Sequence, residues 1–382
     1  MFSRWFPLVL AALAAVLAAA ALAPAAAGKA KRPVRMNDIQ VIGTHNSYHR
    51  EITEPEQDAY DDLIDTPGDY DQFLAYSHAR LPDQFARQRA RGIELDLFPD
   101  PQGGLYAHPL VRTDLDLGPL ADPAWTQPGI KVLHIVDFDY KTTCVALTEC
   151  LRQVKAWSDA NPRHVPLAIL LELKGADRRA LELGGTAVPA WDGPALDGLD
   201  AEIRSVFGPD DLITPDAVRR HGLTLEQTVR RHGWPALRES RGKVVFLLDN
   251  DLGPISDAYL AGRPNLEGRV LFTNSAPGRA DAAFLKRNDP LGANTAQIQA
   301  LVRQGYLVRT RSDVPLETVL ADDRTMLDAA LASGAQVIST DFPEVGMSAR
   351  YDSSFVAALP RGGPARCNPV RAPRGCRDRK LE

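Results

Sequence analysis

Gly92-Ile93-Glu94-Leu95-Asp96-Leu97-Phe98 is an apolar run that carries two carboxylates two residues apart. As a strand it points Glu94 and Asp96 to one face and Leu95 and Leu97 to the other. Acids on the inward face of a buried strand are costly unless something neutralises them. The same kind of run recurs along the chain at 39–43, 131–136, 167–173, 243–248, 269–273, 306–309 and 336–340. With 92–98 that makes eight, each short, apolar and bounded by Gly, Pro, Asp or Asn, as buried parallel strands are. Helix-compatible patterns fill the intervals at 81–91, 148–161, 195–207, 216–232, 295–304 and 322–333. Strands alternating with helical crossovers predict an α/β protein folded as a single (β/α)8 TIM-type barrel. The intervals 47–81 and 175–194 read as irregular, the first as a loop over the barrel mouth.

The 382 residues are 45% hydrophobic and 24% charged, enough for one large core. A net charge of −5 offers no basic field for nucleic acid and no polybasic stripe for anionic lipid. Weak or apolar contact with a membrane stays open. Arg4 is the only charge before Lys29, an apolar Ala/Leu stretch covers 8–22, and Ala25-Ala26-Ala27 suits a cleavage site. Pro7 and Pro24 interrupt the run and argue against a membrane anchor. The expected organisation is a signal peptide at 1–27 and a barrel at 28–382, secreted or periplasmic. Four cysteines fall as local pairs, Cys144/Cys150 and Cys367/Cys376, spaced for short disulfide loops in an oxidising compartment. The second pair closes a Pro/Gly/Arg-rich tail.

Polar side chains cluster at the expected strand ends. His45-Asn46 follows the first run, Glu94 and Asp96 lie in the second, His108 follows shortly, and Glu172 nearly ends 167–173. Oxygen donors from Asn46, Glu94, Asp96 and Glu172 favour Ca²⁺, with Mg²⁺ second. The plain alternative is a carboxylate pair bridged by Arg or Lys. Imidazole titrates near neutrality, so His45 and His108 flanking a cation would form an acid/base pair. His134 and His164 read as structural. Lys174, Arg309 and Arg311 could hold a phosphate. Asp249 and Asp341 could accept from a substrate hydroxyl or orient a base.

The segments Gln40-Val41-Ile42-Gly43-Thr44-His45-Asn46-Ser47-Tyr48, Gly92-Ile93-Glu94-Leu95-Asp96 and Tyr106-Ala107-His108-Pro109 together resemble the bacterial calcium-dependent phosphoinositide phospholipase C-like family. The resemblance spans about residues 36 to 370. It implies a TIM-barrel phosphodiesterase in which His45 and His108 are the catalytic histidines and Asn46, Glu94, Asp96 and Glu172 hold calcium. It also implies attack by an inositol 2-hydroxyl, releasing diacylglycerol and a cyclic inositol phosphate. Lys174, Asp249, Arg309 and Arg311 would contact substrate. Eukaryotic relatives that prefer polyphosphorylated inositides carry a lysine near the end of the fifth strand. Asp249 stands there in this chain, which points to a headgroup without extra phosphates. The expected partners are a phospholipid or phosphodiester and a transiently touched membrane surface, with no nucleic acid and the chain a monomer. Two rival readings are a glycerophosphodiester phosphodiesterase, which usually shows His-Arg-Gly where this chain has His45-Asn46-Ser47, and a non-catalytic calcium-dependent lipid-binding barrel.

Overall fold

The computed structural model describes Met1 and residues 32–382, and the apolar run and cleavage site of the expected signal peptide lie outside the described residues. The unit Pro33–Glu382 contains every helix and strand described below. Its strands are β1 (Ile39–Thr44), β2 (Gly92–Phe98), β3 (Lys131–Val132), β4 (Leu167–Leu173), β5 (Val244–Leu248), β6 (Leu271–Thr273), β7 (Phe284–Lys286), β8 (Leu307–Arg311), β9 (Val337–Thr340) and β10 (Arg366–Cys367). Eight are parallel and run side by side in the order β6-β5-β4-β2-β1-β9-β8-β7. A parallel bridge from Asn274 to Phe284 joins β6 to β7 and all but closes the barrel. The TIM-type expectation therefore holds. Among the described residues no helix is long and apolar enough to cross a membrane.

One strand differs from its expected place. The run 131–136 contributes only β3, which pairs antiparallel with β2 outside the barrel. Its register is held by the Lys131 ammonium, which reaches back 3.1 Å to Asp100. The chain then turns at Asp137, whose φ is +72°. The eighth barrel strand is instead β7, three residues long and flanked by charge, too short for periodicity to reveal.

Burial explains the pattern of the remaining strands. Every residue of β1, β2 and β5 is buried, because helices cover the outer face and packed side chains fill the inner one. Each fully buried Leu, Ile, Val or Phe contributes roughly 1.5–3 kcal/mol. The covering helices match the expected patterns closely at Leu147–Ala160, Gly193–Val206, Ala293–Gln304 and Thr325–Ser333. The single helix expected over 216–232 divides into Pro215–Val218 and Leu225–Arg231. Gly222 at φ +76° breaks it and a Thr224/Gln227 capping box restarts it.

The interval 47–81 is more regular than expected, with helices at Glu54–Ile64 and Asp69–Phe73. Thr53 and Glu56 form a capping box with Pro55 in the first turn, a start signal that the acidic composition obscured. Both disulfides form as expected, Cys144–Cys150 and Cys367–Cys376. The second ties the tail whose strand β10 pairs antiparallel with the start of β1. The tail thus closes the amino end of the barrel and leaves the carboxyl ends of the strands to the site.

Candidate active site

The site begins where β1 and β2 touch. Gly43 pairs with Gly92, and a Cβ on Gly43 would stand 3.0 Å from the Gly92 Cα. Two glycines therefore let the backbones meet, and Ser47 locks the junction. Its backbone N–H donates to the Glu94 carbonyl at 3.0 Å, and its hydroxyl accepts from the Glu94 N–H at 2.8 Å. Asn46 takes a left-handed conformation, φ +44°, which turns the chain off the strand. His45 is left at the end of β1, where its Nδ1 donates to Asp341 at 3.0 Å. Arg311 lies 3.4 Å from the same carboxylate and His78 lies 3.7 Å from it. His78 also donates to the His45 carbonyl at 2.8 Å. Burial, then the charge of Arg311, pushes the His45 imidazole down to about 3, so it is neutral at pH 7. Its Nε2 faces the Glu94 carboxylate 3.7 Å away.

Next to His45 the carboxylates gather. In the β2/β4 register Asp96 stands opposite Glu172, so both face inward on neighbouring strands. Oxygens of Glu94, Glu172 and Asp249 lie within 4.8 Å of one another. Cations from the same rim meet this charge. Arg309 donates to Glu94 at 2.6 Å, Lys174 stands 3.3 Å from Asp96 and 3.5 Å from Glu172, and Lys286 donates to Asp249 at 2.7 Å. The bridged alternative is thus partly realised, but four carboxylates face three cations. Burial raises the Glu94 carboxyl to about 7 against the pull of Arg309, with Asp249 and Glu172 adding to the rise. Asp96 is raised further, again chiefly by burial. Neither of its buried oxygens has a hydrogen-bond partner, and the same holds for Oδ1 of Asp249.

A second imidazole system centres on Asp139. His134 Nδ1 donates to Asp139 Oδ2 at 2.8 Å, and His49 Nε2 donates to the same oxygen at 2.6 Å. Tyr70 donates to the other oxygen at 3.1 Å. Burial opposes charge on Asp139, but these two histidines outweigh it and hold the carboxyl below its usual range. His49 is wholly buried, whereas the His134 side chain keeps 16% exposure and feels the charge of Lys174. His134 thus resembles His45 in resting its Nδ1 on a carboxylate, and its Nε2 makes no hydrogen bond among the described residues.

The expected residues do not all converge. His45, Glu94, Asp96, Glu172, Lys174, Asp249, Arg309 and Arg311 form one connected set. The Asn46 amide donates to Tyr76 at 3.2 Å, beside the set. Arg309 is wholly buried and spends its guanidinium on Glu94, Ser339 and Asn288, so it supports the cluster from below. His108 is exposed and makes no hydrogen bond or ion pair among the described residues. His134, read as structural, bonds to Asp139 and feels the charge of Lys174. His164 is structural as expected, held by Ser158 and the Val165 carbonyl. Lys286 was missed because its strand was.

The donor set fits a hard dication. Carboxylate oxygens of Glu94, Glu172 and Asp249 converge, and both oxygens of Asp96 and Oδ1 of Asp249 lack hydrogen-bond donors among the described residues. With all four carboxylates ionised around it, a charge of +2 would leave the cluster positive, as an anionic phosphodiester requires.

Eight parallel strands with polar groups massed at their carboxyl ends define a TIM-barrel enzyme. The family model of Ca²⁺-dependent phosphoinositide phospholipase C matches residues 34–369. The chain belongs to that family, whose members are phosphodiesterases. Similar solved structures include a calcium-dependent phosphoinositol-specific phospholipase C from Pseudomonas, at TM-score 0.53 and 16% identity, over 88% of this chain and 96% of that one. Another is a Ca²⁺-dependent phosphatidylinositol-specific phospholipase C from Streptomyces antibioticus, at TM-score 0.50 and 17% identity, over 90% and 100%. At such identities the likeness shows the fold. No curated protein matches the chain.

Proposed function

We propose that this protein cleaves phosphatidylinositol-type lipids in a calcium-dependent reaction, with the inositol 2-hydroxyl attacking phosphorus. The carrying observation is the convergence of Glu94, Glu172 and Asp249 next to His45, whose imidazole rests on the buried Asp341 carboxylate. Glu94, Glu172, Asp249 and Asp96 would hold Ca²⁺, with Asn46 at the margin. Bound there, the ion would acidify the attacking hydroxyl and offset charge growing on the phosphate oxygens.

His45 is neutral and presents Nε2, so it accepts the proton of the 2-hydroxyl as the new P–O bond forms. Asp341 fixes its tautomer and stabilises the imidazolium that results. The bond to the diacylglycerol oxygen breaks, and that oxygen takes a proton from the second imidazole. We assign this step to His134 in place of His108, because only His134 is anchored on a carboxylate beside the cluster. Burial lowers the His134 imidazole, and an anionic phosphate arriving next to it favours the charged form. Diacylglycerol and a cyclic inositol phosphate leave. Arg311 and Lys174 would hold the phosphate, and Lys286 would meet ring hydroxyls. The two disulfides support action outside the cytoplasm, in keeping with the expected export signal. Contact with the lipid surface would be transient and the working unit a monomer.

The test is turnover by purified protein of phosphatidylinositol vesicles, glycerophosphoinositol and sphingomyelin, followed by phosphorus NMR with calcium and with EGTA. A cyclic phosphate formed from phosphatidylinositol only with calcium is the expected result. Turnover unaffected by EGTA, or confined to another substrate, overturns the proposal.

A further inference from the structure

Lys174 stands in an unusual place. It follows Glu172 by two residues, just past the end of β4. Its backbone is clamped on both sides: its N–H donates to the Leu97 carbonyl at 3.0 Å, and its carbonyl accepts from the Trp191 indole at 3.0 Å. With the main chain fixed, the ammonium is aimed into the cluster between Asp96 and Glu172, at 3.3 and 3.5 Å. Asp96 is wholly buried, and neither of its oxygens has a hydrogen-bond donor. Lys174 is therefore the charge that makes a buried Asp96 tolerable when no metal is bound. The Lys174 side chain is itself 26% exposed, and its flexible stem gives it a route outward.

We propose that Lys174 is the resident counter-cation of the metal-free cluster, and that calcium must displace it to reach Asp96 and Glu172. The inference rests on the calcium reading above and adds a residue that opposes metal binding. A dication and an ammonium cannot share two carboxylates at these distances without strong repulsion. Lys174 thus stabilises the empty protein and weakens its hold on calcium. An ordinary structural lysine would support both states together.

The opposite signs make the inference testable without turnover. Calcium affinity is measured by titration calorimetry, and melting temperature is measured in EGTA, for the full-length mature protein and its variants. Lys174→Met is expected to bind calcium roughly tenfold tighter or more, and to melt several degrees lower in EGTA. Lys174→Arg keeps the charge and is expected to stay near wild type in both. Lys174→Gln, which keeps a polar side chain, guards against a folding defect in the Met variant and is expected to follow it in both readouts. If wild type and Lys174→Met bind calcium equally, or the variant binds it more weakly, the inference fails while the calcium reading stands. If none of the proteins binds calcium, both fail.

Discussion

Asp341→Asn probes the catalytic geometry with the smallest change of shape. The Asp341 carboxylate accepts from His45 Nδ1 at 3.0 Å and lies 3.4 Å from Arg311 and 3.7 Å from His78. His45 and Arg311 donate to it, His78 gives its Nε2 proton to the His45 carbonyl, and the carboxylate is wholly buried. An amide has one accepting end, so in either orientation its NH2 faces at least one donor. The tautomer of His45 is then no longer fixed, and no anion supports the imidazolium formed during attack. General base catalysis is worth roughly 10²–10⁴-fold, and a loss of about a thousandfold in kcat corresponds to ~4 kcal/mol. The unsatisfied buried donor costs about 1–3 kcal/mol of stability. Asp341 has no contact with Glu172 or Asp249, so calcium affinity should hold. Initial rates on phosphatidylinositol vesicles at saturating calcium, with calorimetric calcium binding beside them, make the assay. A variant with kcat within about threefold of wild type would refute the role given to the His45–Asp341 pair.

Three further outcomes are expected. His134→Gln should lower kcat by roughly 10²–10⁴-fold whereas His108→Gln should leave it near wild type, and the reverse pattern in steady-state rates would return the acid role to His108. Glu172→Gln should raise the calcium needed for half-maximal turnover at least tenfold, about 1.4 kcal/mol, and an unchanged requirement would remove Glu172 from the metal set. In EGTA the melting temperature of Glu94→Gln relative to wild type should rise as pH rises from below 4.5 through about 7, because the Glu94 carboxyl is raised in the folded state and favours the protonated form. In the wild type His49, raised by Asp139 against the effect of burial, acts in the same direction as Glu94, whereas His45 and His134, lowered by burial, act in the opposite one. The Glu94 contribution is ~3 kcal/mol at pH 7, and a difference between variant and wild type that stays flat over this range would contradict the burial argument.

Much of the site was legible because strand residues two apart share a face. Glu94 and Asp96 could be assigned together from their spacing alone, and His45, Glu172, Arg311 and Asp341 from their places at the ends of apolar runs. What stayed hidden depends on tertiary contacts. β7 is three residues among charged neighbours, so Lys286 had no visible strand to end. The run around His134 looked like a barrel strand, but its Lys131 and Asp137 turn it aside, and only the folded chain brings His134 and His49 onto one Asp139 oxygen. His45 and His49, four residues apart, rest on different carboxylates, Asp341 and Asp139. The pairing of Arg309 with Glu94 and of Lys174 with Asp96 likewise joins strands that are distant in sequence.

The most direct test of the account is diffraction from a crystal of the mature protein soaked in calcium. The expected density is one ion with oxygen ligands from Glu94, Glu172 and Asp249 at about 2.3–2.6 Å, and the Lys174 ammonium moved away from Asp96. An ion bound elsewhere, or Arg309 and Lys174 still spanning those carboxylates in abundant calcium, would contradict it.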